Sequence, residues 1–475
     1  MVADLPCRWA YPSVIFVERI SFFHVALGVY DMMNLPEEVL VLLEQLNNAG
    51  HSAYVVGGCV RDCLLGLTPG DWDICTSALP EQMKECFSEY HVIETGLKHG
   101  TLTVRLNHHS YEITTFRTDG DYIDCRHPEM VTFVSDIKED LARRDFTVNA
   151  MAYHPVEGLI DLFGGQKDLH NRKLRCVGNS QKRLTEDALR IMRGLRFAAT
   201  YGFEIEAETQ KAMFETKHLL DKIASERIIV ELKKLLLGEF CETILLNYRE
   251  FFGQIIPELI PMFDFHQKNP HHQYDVWIHT AKSVALSEKD ILVRLAVLFH
   301  DIGKPETFFQ DKNEVGHFYS HASIGAKLTN KILKQMRFDG NTIDVVTELV
   351  KYHDAQIEPT EKSVKRWLNK IGQEQFEHLL SVKEADAKTT IHSDEKIKKI
   401  QEIRMVFLKV LEEKSCFSLK DLAISGNDLI SLGLTKGKCI GEMLNQVLDL
   451  VIDGDIPNET DVLLSYVKKS IKKFD

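Results

Sequence analysis

The chain has 475 residues and a formal net charge of −13, enough length for three or four domains with substantial cores. The acidic total argues against a protein coated in basic surface, so a polyanion partner must meet a local basic face. Ten cysteines lie scattered without a Cys-X-X-Cys pair, which fits a reducing cytoplasm better than a disulfide framework or a zinc module.

Residues 1–32 contain apolar pieces interrupted by Arg8, Glu18 and Arg19, with neither an 18-residue apolar run nor a signal pattern. They read as an N-terminal extension with little bearing on function, and no membrane partner is expected. From Leu35 to Asn48, Val39, Leu42, Leu43 and Leu46 mark an amphipathic helix that stops at Gly50.

Ala53 to Val56 then reads as a short strand, followed by Gly57-Gly58 and a helix over Cys59 to Leu65. That order aims free N–H groups and a positive dipole end at a bound anion. Next comes Gly70-Asp71-Trp72-Asp73, where a strand would project Asp71 and Asp73 from one face. Two carboxylates aimed at one spot repel unless a divalent cation bridges them. Glycines followed by paired carboxylates therefore suggest metal-assisted transfer of a nucleotide or phosphoryl group. A helix is expected over Pro80 to Tyr90. Thr101 to Arg105 and Tyr111 to Arg117 alternate like paired strands across a polar turn. Glu112 on the second strand is either a third carboxylate or a solvated glutamate. Asp119 to Pro128 reads as a polar loop beside the site.

Arg143-Arg144-Asp145-Phe146-Thr147-Val148-Asn149 joins two guanidinium groups to an acid and an amide. Arginine's planar fork suits a triphosphate. In the stretch Glu186 to Phe197, a helix would set Asp187, Arg190, Arg193 and Arg196 along one stripe. Such a stripe is either a surface ion-pair ladder or a base reader. A carboxylate beside a guanidinium matches the donor–acceptor edge that cytosine and adenine share, and mismatches uracil and guanine. Each polar group left unpaired costs roughly 1–3 kcal/mol, enough to reject the wrong base.

The residues quoted resemble class II tRNA nucleotidyltransferases, the CCA-adding enzymes of the polymerase β-like superfamily, from Met33 onward. The resemblance implies an α+β fold: a small head with a mixed or antiparallel sheet, followed by all-α neck, HD and tail domains. It implies boundaries of 33–155 for the head, 156–265 for the neck, 266–395 for the HD domain and 396–475 for a tRNA-binding tail. It implies that Asp71 and Asp73 are catalytic and hold Mg2+, lowering the pKa of the tRNA 3′-hydroxyl and steadying the leaving pyrophosphate. Gly58, Arg61 and Arg144 would contact the triphosphate, Asp187 and Arg190 would select CTP or ATP, and Arg193 and Arg196 would complete the pocket. The substrates implied are tRNA, CTP and ATP, and the product is CCA added without a nucleic-acid template. The Asp119–Pro128 stretch resembles the loop needed for the final A. Bacterial poly(A) polymerases are the close rival, but carry an arginine-rich stretch where this chain reads Glu94 to Thr101. An A-only enzyme is the other alternative.

Farther along, His271, His272, His279, His300-Asp301, His321, His353-Asp354 and Asp386 form an ordered set. Imidazoles and carboxylates from separate helices can form a mono- or dinuclear metal site. The set resembles an HD phosphohydrolase domain, with His279, His300, Asp301, His321, His353 and Asp386 holding a second divalent metal. The ester implied is one such as a 2′,3′-cyclic phosphate on damaged tRNA. A protein of another class, an HD phosphohydrolase with a nucleotide-sensing head, is the competing reading. Two basic runs, Arg172 to Arg183 and Lys468 to Lys473, are candidate contacts for the acceptor stem and the elbow of tRNA.

Overall fold

The computed structural model describes residues 33–120, 131–270, 273–391 and 393–471. The expected extension, residues 121–128 of the polar loop, His271, His272, Lys472 and Lys473 lie outside the described residues. Two compact units emerge. The first runs to Gly194 and takes in Phe203–Leu219; the second comprises Leu195–Gly202 and the chain from Leu220 onward.

The first unit carries β1 (Ala53–Val56), β2 (Asp73–Thr76), β3 (His91–Gly96), β4 (Thr101–Leu106), β5 (His109–Thr115), β6 (Arg117–Asp119), β7 (Val131–Phe133), β8 (Met151–His154) and β9 (Gly158–Asp161), besides a short parallel pairing of Lys173–Leu174 with Glu204–Ile205. Seven form one sheet in the order β3-β4-β5-β2-β1-β8-β9, while β6 pairs with β7 alone. Neighbours are antiparallel except β2 and β5, which run parallel. The sheet is therefore mixed. All four residues of β1 are buried, as expected for a short apolar run at the sheet's centre.

Asn107 and His108 both take positive φ, 48° and 68°, giving β4 and β5 a two-residue turn whose twist matches the strands. The first helix spans Glu37–Asn48 rather than starting at Leu35, because the residue before Pro36 is pushed out of helical geometry. Val39, Leu42, Leu43 and Leu46 are fully buried along it, each contributing roughly 1.5–3 kcal/mol. The helix expected over Pro80 to Tyr90 ends at Cys86.

The second unit is helical apart from a short pairing of Phe309–Gln310 with Gly316–His317. Its central helix, Ile291–Phe299, is buried from Val293 to Phe299; its one polar residue, Arg294, donates to the carbonyls of Glu288 and Ser287 at 3.1 and 3.3 Å. Asp290 caps it, accepting from the N–H groups of Leu292 and Val293 at 2.8 and 3.0 Å. Such a cap contributes about 1 kcal/mol. Helices Val276–Leu286, Gly340–Tyr352 and Gln373–Ala387 pack around it. The tail has its own small core around Leu429, Val447, Leu463 and Val467. Among the described residues all eight cysteines are free thiols, and no helix is long and apolar enough to cross a membrane.

Candidate active site and histidine–aspartate cluster

β1 ends at Val56, and Gly57 turns the chain with φ 82° and ψ −124°, a conformation L side chains rarely adopt. The helix that follows is Gly58–Leu64, one residue earlier than the pattern suggests, because Gly57 supplies the turn. A Cβ on Gly57 would meet Arg144 Nη1 at 3.0 Å, so the missing side chain lets that guanidinium lie against the turn. Arg144 Nη2 donates to Asp140 Oδ2 at 3.1 Å, and its buried Nε has no acceptor among the described residues.

β2 begins at Asp73, so Asp71 precedes the strand instead of sharing it. The Pro69-Gly70 turn delays the strand, and Asp71 stays exposed. The acids nevertheless sense one another. Glu112 stands opposite Asp73 across the parallel β2–β5 pairing. Burial, then Asp71, with Glu112 adding, push the Asp73 carboxyl up to about 6, against the pull of Arg144. Three carboxylates gathered at such expense fit a divalent cation, a hard ion that takes oxygen ligands.

The arginines arrive already partnered. Arg61 is buried, donating to Asn149 Oδ1 at 2.6 Å and pairing with Asp62 at 2.8 Å. Asn149 Nδ2 donates to Asp145 Oδ1 at 3.1 Å, and the other Asp145 oxygen accepts from Arg193 Nε at 2.8 Å. Burial alone would raise the Asp145 carboxyl, but Arg193, Asn149 and Arg190 together hold it well below the usual carboxylate range. One chain of bonds thus orients Arg61 and Arg193.

The single helix expected from Glu186 to Phe197 is instead broken. One helix, Ser180–Glu186, ends before Asp187, whose backbone is extended at φ −138° and ψ 103°. Asp187 Oδ1 then accepts from Leu189 N at 3.0 Å, opening the Leu189–Tyr201 helix. Asp187 therefore sits at a helix start, off the stripe. Aspartate bonds readily to backbone N–H groups two residues on, and here that preference outweighs periodicity. Arg190 donates to Glu186 Oε2 at 2.7 Å and to the carbonyls of Arg183 and Arg143 at 2.8 and 3.1 Å. Arg196 pairs with Glu231 at 2.7 Å and lies 3.7 Å over the Phe197 ring. Of the basic run, Arg183 is taken up by Glu186 and three backbone carbonyls, and Arg175, though exposed, pairs with Asp168 at 3.2 Å, while Arg172 and Lys182 are exposed.

The second unit brings together all six of its candidate ligands. His279 Nε2 lies 3.2 Å from His300 Nε2 and 3.1 Å from Asp386 Oδ1. Asp301 Oδ2 is 3.2 Å from His300 Nε2, while its Oδ1 is 3.7 Å from His321 Nε2 and 4.0 Å from His353 Nε2. His321 and His353 face each other through Nε2 at 3.1 Å. Asp301 is thus shared between two groups of ligand atoms.

The outer ring nitrogens explain the aim. Nδ1 of His300, His353 and His321 bonds to the carbonyls of Val297, Val350 and Phe318 at 2.7, 2.7 and 2.9 Å. A carbonyl accepts, so each Nδ1 carries a proton and each Nε2 faces inward, where it can offer a lone pair to a metal. Two bare Nε2 atoms at 3.1 Å repel unless a cation sits between them. Burial, with His300 and His321 nearby, pushes His353 down to about 3, leaving it neutral, the form that ligates metal. The donor set fits a transition-metal or zinc-type divalent ion.

Lys304 Nζ lies 2.7 Å from Asp301 Oδ2 and donates to Gln267 Oε1 at 2.8 Å, giving Lys304 a positioning place. Gly303 lets two helical segments touch: a Cβ there would meet the His321 carbonyl oxygen at 2.3 Å. Sequence reasoning missed Asp140, Glu186, Gly303 and Thr389, whose Oγ1 lies 2.8 Å from His279 Nδ1, and named Asn149 without its partner Arg61. Glycine beside the His-Asp pair was one visible signal, and Asp140, three and four residues before Arg143 and Arg144, was another; the other partners are distant along the chain or depend on the helix break.

Residues 53–175 match the family described as the poly A polymerase head domain, residues 202–263 a probable RNA- and SrmB-binding site of polymerase A, and residues 316–467 a putative tRNA nucleotidyltransferase domain 2. A CCA-adding enzyme of Ligilactobacillus salivarius is 33% identical over 452 residues, covering 93% of this chain and 98% of that one. Another, of Leuconostoc mesenteroides, is 35% identical over 443 residues, covering 92% and 98%. The crystal structure of Bacillus stearothermophilus CCA-adding enzyme in complex with CTP superposes with a TM-score of 0.69 at 28% identity, covering 92% of this chain and 98% of that one. The glycine turn, the gathered carboxylates and these full-length matches agree: the chain belongs to the CCA-adding enzymes, the tRNA nucleotidyltransferases of the polymerase β-like superfamily.

Proposed function

We propose that this protein adds CCA to the 3′ end of tRNA without a nucleic-acid template, using CTP and ATP with Mg2+ and releasing pyrophosphate. The observation that carries the reading is the gathering of Asp71 and Glu112 about Asp73, whose carboxyl is pushed up to about 6. A solved relative at 28% identity is a CTP complex, which supports the choice of nucleotide.

In this reading Asp71 and Asp73 hold Mg2+, and Glu112 stands beside them. The ion, when bound, supplies charge stabilisation at the attacking oxygen and the leaving pyrophosphate. Gly58, Arg61 and Arg144 bind the triphosphate, with Arg61 fixed in advance by Asn149 and Asp62. Groups oriented beforehand need no reorganisation during reaction. Asp187 and Arg190 select cytosine and adenine, and Arg193 and Arg196 complete the pocket. Exposed Arg172, Arg175 and Lys182 serve the acceptor stem, and Lys468 and Lys469 the elbow. The segments 33–155, 156–265, 266–395 and 396–475 act as head, neck, HD domain and tail, in the cytoplasm.

The test is incubation of a tRNA lacking its 3′ end with each nucleotide, followed by sequencing of the product ends. CCA is the expected end. A single A would make this an A-only enzyme, and an A-tract a poly(A) polymerase.

A second activity is favoured by the facing Nε2 pairs of His279 with His300 and of His321 with His353. We infer an HD phosphohydrolase centre in which His279, His300, Asp301, His321, His353 and Asp386 hold divalent metal. Bound metal supplies Lewis-acid chemistry for hydrolysing a phosphoester, such as a 2′,3′-cyclic phosphate on damaged tRNA.

A further inference from the structure

Phe309, His317 and Tyr319 form an aromatic face with no part in either site. Phe309 stands opposite His317 in the two-stranded pairing. The His317 and Tyr319 rings are parallel within 6°, with centroids 5.6 Å apart, and Phe309 lies 5.2 and 5.6 Å from them at 26° and 32°. Tyr319 is 70% exposed and Phe309 46%. His317 Nε2 is tied to Asp311 Oδ2 at 3.0 Å, which fixes the ring.

The face is held against the histidine–aspartate cluster. Gly316 N donates to the Lys268 carbonyl at 2.7 Å, and Asn269 Nδ2 to the Gly316 carbonyl at 3.0 Å. The preceding residue, Gln267, accepts from Lys304, the partner of Asp301. On the other flank, Phe318 accepts from His321 through its carbonyl and sets its ring 5.3 Å from Lys304 Nζ. Tyr319 is two residues from His321, so their Cα atoms lie within about 7.6 Å.

We propose that Phe309, His317 and Tyr319 are a nucleobase platform that stacks the unpaired terminal nucleotide of an RNA whose phosphate ester reaches the histidine–aspartate cluster. The choice of a phosphate-bearing end rests on the phosphohydrolase reading above. Flat, exposed, nearly parallel rings suit a base. The residues between them, Gln310 to Gly316, supply one aliphatic side chain, Val315, too few for an apolar protein partner. Stacking tolerates any base, because every base has a π-face. Lys268, exposed and 3.2 Å from Gln310 Oε1, adds positive charge beside it for the backbone phosphate.

The probe is a short single-stranded oligoribonucleotide ending in 2-aminopurine riboside 3′-phosphate, titrated into the full-length protein. Its blocked 3′ end cannot be extended, and 2-aminopurine fluorescence falls on stacking. Wild type should quench it. The Phe309→Ala, Tyr319→Ala double variant should bind roughly five- to a hundredfold more weakly and lose the quench. Tyr319→Trp, which keeps a ring, should retain it. Equal quenching by wild type and the double variant, or none by wild type, would overturn the proposal. Opening of a 2′,3′-cyclic phosphate at the end of the same oligonucleotide to a phosphomonoester, lost in His300→Ala, tests the phosphohydrolase reading separately. Quenching without ring opening leaves the platform standing and discards that reading; ring opening without quenching does the reverse.

Discussion

In the first unit, Asp71, Asp73 and Glu112 come together through a turn and a strand register, and their repulsion is left standing, with Asp73 raised to about 6. In the second unit, Asp301 is more deeply buried, which by itself would raise its carboxyl, yet His300 and Lys304 hold it below the usual range. The first arrangement leaves negative charge for something outside the protein to neutralise. The second supplies most of its own counter-charge and turns its imidazole Nε2 atoms toward one another. A transfer site must admit two large polyanions, whereas a ligand cage must first hold its ion. Similar residue types therefore leave unbalanced charge in one place and largely balanced charge in the other.

The contrast can be broken first at the acids. Asp73→Ala should lower nucleotide incorporation by roughly a thousandfold or more, since several kcal/mol of charge stabilisation go with the metal. Incorporation assays on a tRNA lacking its 3′ end measure this, with phosphoester hydrolysis unchanged. Gly303→Ala comes next. Its Cβ would press on the His321 carbonyl oxygen at 2.3 Å, so about 1–3 kcal/mol of stability should be lost. Metal bound per protein should fall in the same variant, whereas CTP binding should not.

A smaller effect is expected at Asp145, whose carboxyl is depressed in the folded protein. Its stabilisation is present above the unfolded value of about 3.9 and is lost as pH falls through and below it. Asp145→Asn should therefore cost about 1–2 kcal/mol at pH 7, discounted because Arg193 is partly exposed, and much less near pH 2. Urea unfolding of both proteins at the two pH values would reveal an unchanged gap if the charge is irrelevant. The smallest change is one of choice. Asp187→Ala should relax selection toward UTP or GTP by roughly tenfold, read from competing incorporation. Unchanged selectivity would place base choice elsewhere.

Much of the architecture was legible before the structure. The apolar run of Ala53–Val56 and the alternation around Asn107 report local burial, which the sheet repeats. The gathering of the six histidine and aspartate side chains was also legible, because their ordered set, with its adjacent His-Asp pair, resembles an HD domain. What was hidden depends on competition or distance. Asp187 looked like one member of a helix stripe, but its side chain bonds to the backbone of Leu189 and breaks the helix. Asn149 finds Arg61 from 88 residues away, a pairing that no spacing rule encodes. Glu112 was undecided until the parallel register set it opposite Asp73.

The central claim is that nucleotide transfer belongs to the head acids and not to the histidine cluster. Incorporation of CTP and ATP into a tRNA lacking its 3′ end, measured side by side in Asp71→Ala and in the His300→Ala, Asp301→Ala double variant, tests it most directly. Incorporation should vanish in the first protein and persist in the second. Incorporation that survives in Asp71→Ala, or disappears only in the histidine–aspartate variant, would contradict the account.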